Sequence, residues 1–225
     1  PLVFDFDMKY KDQLTNKPYN LNFLKHLSEF LWICISDVID VSNESKYNEV
    51  YIMGKSKPYP CLKKPYKSKD GIHIIYPNII LKKEVYKILC SYIQEKNTEL
   101  FKLFKEDSSI CPSNLDTTLF DGKFTRWMPY LCSKEKEEPY KLTFVFTMCS
   151  GNAEQKNQAL IDGEDPFYND ELIMHRCSMF RPDLRENVCY TEYTQNKLKT
   201  LTSSDTSMID SVEGNVYSSY YVDNH

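Results

Sequence analysis

The first residues of the chain alternate apolar and acidic side chains, and this pattern restricts the fold more than any other feature. The period of two in Val3-Phe4-Asp5-Phe6-Asp7 predicts a β-strand, because successive side chains of a strand point to opposite faces of a sheet. Asp5 and Asp7 then share one face. Two neighbouring carboxylates repel each other unless a cation lies between them, and Mg²⁺ prefers oxygen ligands. The strand therefore carries either a metal site or two solvated acids at a sheet edge.

The size and composition of the chain exclude several classes of protein. The chain has 225 residues and a net charge of −4, so its overall charge does not mark a nucleic-acid-binding protein. A local basic cleft can still attract phosphates. The eight cysteines form no Cys-x-x-Cys pair, which argues against a zinc ribbon or a redox motif. We predict no zinc site and reduced, mostly buried thiols in an intracellular protein.

No apolar run approaches the length of a membrane span. The sequence begins directly on a strand without Met, so we expect an excised domain of a longer protein.

Apolar periodicity predicts the remaining elements. They are a helix over 21–38, strands over 50–53, 71–76 and 141–148, and a helical region over 82–105 that divides near Asn97. On the last strand we expect Leu142, Phe144, Phe146 and Met148 to share one face. Residues 171–179 form a short helix or a strand. This mixture is consistent with an α/β or α+β fold but does not choose a topology.

A loop after the second strand is strongly basic. It is either a solvated loop or a surface for phosphates, with Tyr59 and Tyr66 as stacking faces. The lysines that such a phosphate-binding surface would present are Lys55, Lys57, Lys63, Lys64 and Lys67.

Two later stretches carry further candidate site residues. Gly71 and His73 share a face of the third strand, and a glycine leaves room for a ligand to approach the backbone. A lone histidine in a strand is more often a core residue than a functional one, although the flanking Lys69 favours function. The segment from Asp116 to Lys134 mixes acidic, basic and aromatic residues without periodicity, which is typical of a site-bearing loop or short helix.

In this order, the three stretches resemble the archaeo-eukaryotic primase superfamily, and within it the D5-type primase-helicases of nucleocytoplasmic large DNA viruses. That superfamily has an acid-x-acid strand, a small-residue-x-His strand, and an Asp that opens a segment with Arg and Lys. The matching residues here are Asp5-Phe-Asp, Lys69-Asp-Gly-Ile-His-Ile-Ile-Tyr-Pro-Asn, Asp116-Thr-Thr-Leu-Phe, Arg126-Trp-Met-Pro-Tyr and Ser133-Lys134. The resemblance covers residues 1 to 148. It departs at Gly71, where the superfamily often has Ser, so a hydroxyl contact from that position is absent or is replaced by the Gly71 N–H.

The resemblance implies an α/β (α+β) fold, a primase catalytic core with an RRM-like sheet flanked by helices. We expect this core over residues 1–150, an extension of the same domain over 151–200, and a tail or linker over 201–225.

The resemblance also implies a DNA primase that makes primers on single-stranded DNA from NTP or dNTP during viral DNA replication. Two divalent ions, Mg²⁺ or Mn²⁺, would be bound by the catalytic acids Asp5, Asp7 and Asp116. The residues implied to bind the incoming nucleotide are Lys69, Gly71, His73, Arg126, Ser133 and Lys134. An alternative role for Arg126 is a structural ion pair with Asp116. The template strand is expected to contact the five lysines of the basic loop.

Partners and location follow from the same resemblance. The chain has no Gly-x-x-x-x-Gly-Lys-Ser/Thr loop, so a helicase ATPase is expected elsewhere in the same full-length protein. We expect no membrane association, and an intracellular protein at host cytoplasmic replication sites or in the virion. Two alternatives stay open: a metal-dependent nuclease or phosphatase, and a non-catalytic nucleic-acid-binding module.

Overall fold

The computed structural model describes residues 1–41, 47–107, 111–112, 114–116, 130–133, 137–156, 170–177 and 188–205, with the backbone alone for 114–116 and 202–205. The elements of these residues, in chain order, are β1 (Leu2–Tyr10), α1 (Leu21–Val38), β2 (Ile39–Asp40), β3 (Glu49–Gly54), β4 (Tyr59–Pro60), β5 (Ser68–Tyr76), α2 (Lys83–Glu95), α3 (Asn97–Asp107), β6 (Asn114–Asp116), β7 (Lys141–Cys149), β8 (Asn152–Gln155), α4 (Asp170–Cys177), β9 (Cys189–Tyr190) and α5 (Glu192–Asp205).

A seven-stranded sheet organises the structure. Its order is β6-β1-β5-β3-β7-β8, and β4 pairs with β5. Every described pair of strands is antiparallel. With α1 and the α2–α3 pair as crossovers, β6-β1-β5-β3 has the β-α-β-β-α-β arrangement of ferredoxin-like and RRM-like sheets. The α+β form of the predicted fold is therefore confirmed.

Helices α1, α2, α3 and α5 cover one face of this sheet. The even-numbered side chains Phe4, Phe6 and Met8 of β1 are buried in the larger core with the apolar residues of α1. Asn20 caps α1, because its Oδ1 accepts a hydrogen bond from Phe23 N at 3.1 Å. Phe104 of α3 packs against the Phe6 ring, with the ring centroids 6.3 Å apart. Each large apolar side chain buried in this layer contributes about 1.5–3 kcal/mol.

The opposite face carries a second, smaller core. It consists of Val3, Tyr51, Met53, Ile75, Tyr130, Leu142 and Val145, with Ile173 and Cys177 of α4. The prediction that Leu142 shares a face with Phe146 was wrong. The register shifts between Ile52 and Met53, so that Phe144 lies opposite Ile52 but Leu142 lies opposite Met53. Such a bulge adds one residue to β7 and moves Leu142 to the other face.

Other expectations are settled by the described elements. The helical region divides as predicted, since α2 ends at Glu95 and α3 begins at Asn97. Of the two structures predicted around residue 171, the helix is present as α4. All eight cysteines lie in the described ranges and none forms a disulfide, but only Cys34, Cys90 and Cys177 are buried, fewer than predicted. Within the described residues, no helix is long and apolar enough to cross a bilayer.

Candidate active site

The pairing of β1 with β5 brings two of the predicted motifs together. Asp5 lies opposite His73, and Asp7 lies opposite Gly71. Residues directly opposite each other in an antiparallel pair share a face of the sheet. This is the face away from the helices that cover Phe4 and Phe6. The acids and the histidine, far apart in sequence, are therefore cross-strand neighbours.

The third predicted acid joins them through β6. This strand pairs with the other edge of β1, and its register sets Asp116 opposite Asp7. Asp5 and Asp7 are thus two residues apart on β1, and Asp116 lies opposite Asp7 on β6. The side chain of Asp116 lies outside the described residues. Among side chains that the structure describes, no group of three metal-ligating residues occurs.

Asp7 forms an ion pair with Lys69. The distance between Lys69 Nζ and Asp7 Oδ2 is 2.8 Å, and both side chains are partly buried. Burial lowers the pKa of Lys69, but the hydrogen bond and charge of Asp7 outweigh burial and raise that pKa above its usual value. Lys69 therefore remains cationic and neutralises Asp7. A metal cation that binds the Asp7 carboxylate must therefore share it with Lys69 or displace the Lys69 ammonium group.

Asp5 presents a carboxylate oxygen that suits a metal ion. Asp5 Oδ1 is buried and accepts no hydrogen bond from any described residue. Its basic neighbour is His73 Nε2, at 3.4 Å. A buried carboxylate oxygen without a donor is costly, and a divalent cation removes that cost. The residues present therefore fit the divalent ions that the family resemblance implies.

A tyrosine that no sequence motif marks covers this site. The ring of Tyr140, just before β7, stacks on the His73 ring with centroids 3.6 Å apart and planes 11° apart. Its hydroxyl lies over Gly71. A Cβ at position 71 would overlap Tyr140 Oη and lie 3.2 Å from Cζ. The space that glycine leaves is thus filled by Tyr140, so position 71 must be glycine while this ring is in place.

The Tyr140 hydroxyl belongs to a small polar network. Burial raises the pKa of Tyr140 well above its usual value, and the neighbouring Tyr59, Asp5 and Asp7 raise it further. Tyr59 is a neighbour of both Tyr140 and Lys69, and Lys69 Nζ lies 5.8 Å from the centroid of the Tyr59 ring. Burial also raises the pKa of Tyr59 to about 12. Both phenols therefore keep their protons at neutral pH.

The five template-binding candidates do not share one environment. Lys55 is only 5% exposed, and its Nζ is 2.6 Å from Glu137 Oε2 and 3.8 Å from the centroid of the Tyr59 ring. The other four are exposed: Lys57, Lys63, Lys64 and Lys67. Lys55 is thus a packing residue beneath Tyr59, whereas the others present their charges to solvent.

The remaining nucleotide-binding candidates stay predictions. Ser133 is exposed. Arg126 and Lys134 lie outside the described residues, so their predicted contacts stay predictions.

A separate cavity of about 340 Å³ lies at the end of β3, beside the start of α1. Its lining includes Lys17 and Gly54 but not Asp5, Asp7 or His73. Behind Lys17, the carboxylate of Asp70 is fully buried, with Oδ2 3.9 Å from Lys17 Nζ. Burial raises the pKa of Asp70 and lowers that of Lys17.

Comparison with known proteins agrees with the arrangement of strands. A family model described as the C962R protein N-terminal AEP domain, where AEP stands for archaeo-eukaryotic primase, matches residues 1–146. The matched range contains Asp5, Asp7, His73, Asp116 and Tyr140. No curated protein matches the chain.

Proposed function

The chain belongs to the family of archaeo-eukaryotic primase domains described at the N-terminus of C962R proteins, and we propose that it is the catalytic domain of a primase that synthesises primers on single-stranded DNA. Family membership supports a primase-type nucleotidyltransferase that acts in DNA replication. The observation that carries the proposal is the register of three strands. It sets Asp5 and Asp7 against His73 and Gly71, and Asp116 against Asp7.

In the proposed reaction a 3′-hydroxyl attacks the α-phosphate of a nucleotide and pyrophosphate leaves. Asp5, Asp7 and Asp116 would hold two Mg²⁺ or Mn²⁺ ions, which supply charge neutralisation at the attacking and leaving oxygens. The carboxylates fit this role because the buried Asp5 Oδ1 has no donor among the described residues. The acids thereby place the reacting phosphate against the face that β1 and β5 share.

In this proposal, two basic residues of β5 contact the triphosphate. His73 Nε2 lies next to Asp5, where an imidazole N–H can donate to a phosphate oxygen. Lys69 forms an ion pair with Asp7 in the absence of nucleotide. Its ammonium group can also form an ion pair with phosphate oxygens when nucleotide is bound. Arg126, Ser133 and Lys134 complete the proposed nucleotide contacts on the strength of the motif resemblance.

In this proposal, the template strand binds to a surface separate from the acids and His73. Lys57, Lys63, Lys64 and Lys67 are exposed between β3 and β5, and β5 carries the site. Backbone phosphates are bound by such lysines without sequence preference. The proposal includes an ATPase domain in the same full-length protein and a role in viral DNA replication within the host cell.

A primer-synthesis assay tests the proposal. Wild type is incubated with single-stranded template, labelled nucleotides and Mg²⁺ or Mn²⁺, beside Asp5→Asn with Asp7→Asn. We expect synthesis to fall by at least about 100-fold in the double variant, since the charges that stabilise the transition state lose their ligands. Asp12→Asn is the matched control, because Asp12 is an exposed acid in the loop after β1.

Each other outcome has its own meaning. Full synthesis by the double variant contradicts the metal assignment. Shortening of the labelled strand, without incorporation, identifies a nuclease. Binding of single-stranded DNA that survives EDTA, with neither incorporation nor cleavage, identifies a non-catalytic binding module.

A further inference from the structure

The hydroxyl of Tyr140 lies over Gly71 of β5, on the face of the sheet that carries the acids and the histidine of the proposed nucleotide site. We propose that Tyr140 binds the nucleotide directly: its ring fixes the His73 imidazole and its hydroxyl donates a hydrogen bond to a triphosphate oxygen. The inference rests on the proposed function, because it needs a nucleotide at this site. It adds a phosphate ligand that none of the three sequence motifs contains.

The stacking geometry gives the ring its role. The two rings are nearly parallel and in contact, and His73 is only 4% exposed. The ring planes differ by 11°, so the imidazole cannot turn about its axis without separating from Tyr140. The ring of Tyr140 therefore keeps His73 Nε2 on the side of Asp5, where the proposed phosphate contact is made.

The position of the hydroxyl gives it a second role. A Cβ on Gly71 would overlap Tyr140 Oη, so this hydroxyl occupies the place that a side chain at position 71 would take. Gly71 lies directly opposite Asp7. The phenol thus stands beside the acids, on the same face. A hydroxyl from β5 itself is absent at this point of the site, and Tyr140 supplies one from the start of β7.

The Tyr140 hydroxyl carries a proton that a ligand can accept. A phenol has one O–H donor, which rotates about its C–O bond toward an acceptor. Its neighbour Tyr59 is also a phenol. A charged phosphate oxygen is a stronger acceptor than a neutral phenol, so the Tyr140 hydroxyl turns to it when the nucleotide binds.

Calorimetric titration with ATP and Mn²⁺ tests the proposal on Tyr140→Phe, which retains the ring and removes the hydroxyl. We expect the affinity to fall about tenfold, as for loss of a hydrogen bond to a charged acceptor. Affinity for single-stranded DNA should not change. The control is Tyr92→Phe, which also removes a tyrosine hydroxyl. That hydroxyl lies in the helical layer and donates a hydrogen bond to Asp37 Oδ2 at 2.7 Å. Thermal melts run in parallel confirm that both variants fold.

Adenosine, titrated in the same way, tests which part of the nucleotide is bound. Equal adenosine affinity of wild type and Tyr140→Phe supports a phosphate contact, whereas a similar loss with adenosine and ATP contradicts it. Equal ATP affinity of wild type and Tyr140→Phe overturns the inference alone. Wild type that binds no ATP with Mn²⁺ overturns the proposed function as well, so the two failures are distinguishable.

If Tyr140→Phe melts early, Tyr140→His serves as a second variant, with a ring that can still stack on His73 and donate a hydrogen bond. An affinity near that of wild type supports the contact, and loss of affinity in the folded variant overturns it.

Discussion

Replacement of Gly71 by Ala should destabilise the protein although it adds a single methyl group. The φ of Gly71 lies outside the left-handed region, so the backbone itself accepts alanine. The obstacle is the ring of Tyr140. The added Cβ would overlap Tyr140 Oη and approach Cζ and Cε1 to 3.2 and 3.4 Å. Because the ring is rigid and stacks on His73, it must leave that stack to make room.

The expected cost follows from the contacts that are lost. Forcing the ring out of its packed position costs about 1–3 kcal/mol, a range that includes about 0.5–1.5 kcal/mol for the ring stack. Alanine regains about 0.4–1 kcal/mol by restricting the unfolded chain. The free energy of unfolding should therefore fall by about 1–2 kcal/mol, within the range for overpacked sites.

Urea unfolding of wild type and Gly71→Ala measures this difference. The control is Gly54→Ala, whose Cβ would lie 2.8 Å from Lys17 Nζ. That atom ends a flexible side chain and can move, so we expect a cost below about 1 kcal/mol. The double variant Gly71→Ala with Tyr140→Phe lacks the overlapping oxygen. Its destabilisation should be smaller than the sum of the two single changes by about 1 kcal/mol. Additive effects, or a neutral Gly71→Ala, would refute the placement of Tyr140 over Gly71.

Two further predictions concern His73 and Asp70. His73→Ala should raise the KM for nucleotide about tenfold through loss of a charge-assisted hydrogen bond, and leave template binding near normal in a gel-shift assay. An equal loss of both would instead indicate a folding role. Because burial raises the pKa of Asp70, the folded protein holds a proton that the unfolded chain releases above about pH 3.8. The free energy of unfolding of wild type relative to Asp70→Asn should therefore fall as the pH rises through the raised pKa, by up to about 1.4 kcal/mol per pH unit. Urea unfolding of both proteins at several pH values measures this difference. Urea midpoints that change in parallel would contradict the prediction.

The strands of the site could be predicted because their signals are local. Alternation placed Asp5 and Asp7 on one face of β1, and the same period placed Gly71 with His73 on β5. Together with the motif resemblance, this predicted which stretches meet. The register could not be predicted, because it depends on packing across the sheet. The bulge that moves Leu142 to the other face is an example, since it follows from a register shift with no local sequence signal.

The side chains that complete the site were harder to predict for a related reason. Tyr140 lies before β7, in a segment without periodicity, and only its packing on His73 reveals it. Lys55 and Lys57 belong to the same basic loop in the sequence. In the fold one is buried against Glu137 and Tyr59 and the other is exposed. Charge counting cannot separate two such lysines, because burial is decided by residues distant in sequence.

The shortness of β6 would couple occupancy of the proposed metal site to the pairing of this strand with β1. Asp116 lies opposite Asp7 in a three-residue strand at the edge of the described sheet, where pairing opens more readily than in the interior. Ions held jointly by Asp7 and Asp116 would bind only the closed edge. At 100 times their dissociation constant they would favour closure by about 2.7 kcal/mol. Ion binding and the pairing of β6 with β1 would then be coupled: the bound ion would stabilise the pairing, and the pairing would strengthen ion binding.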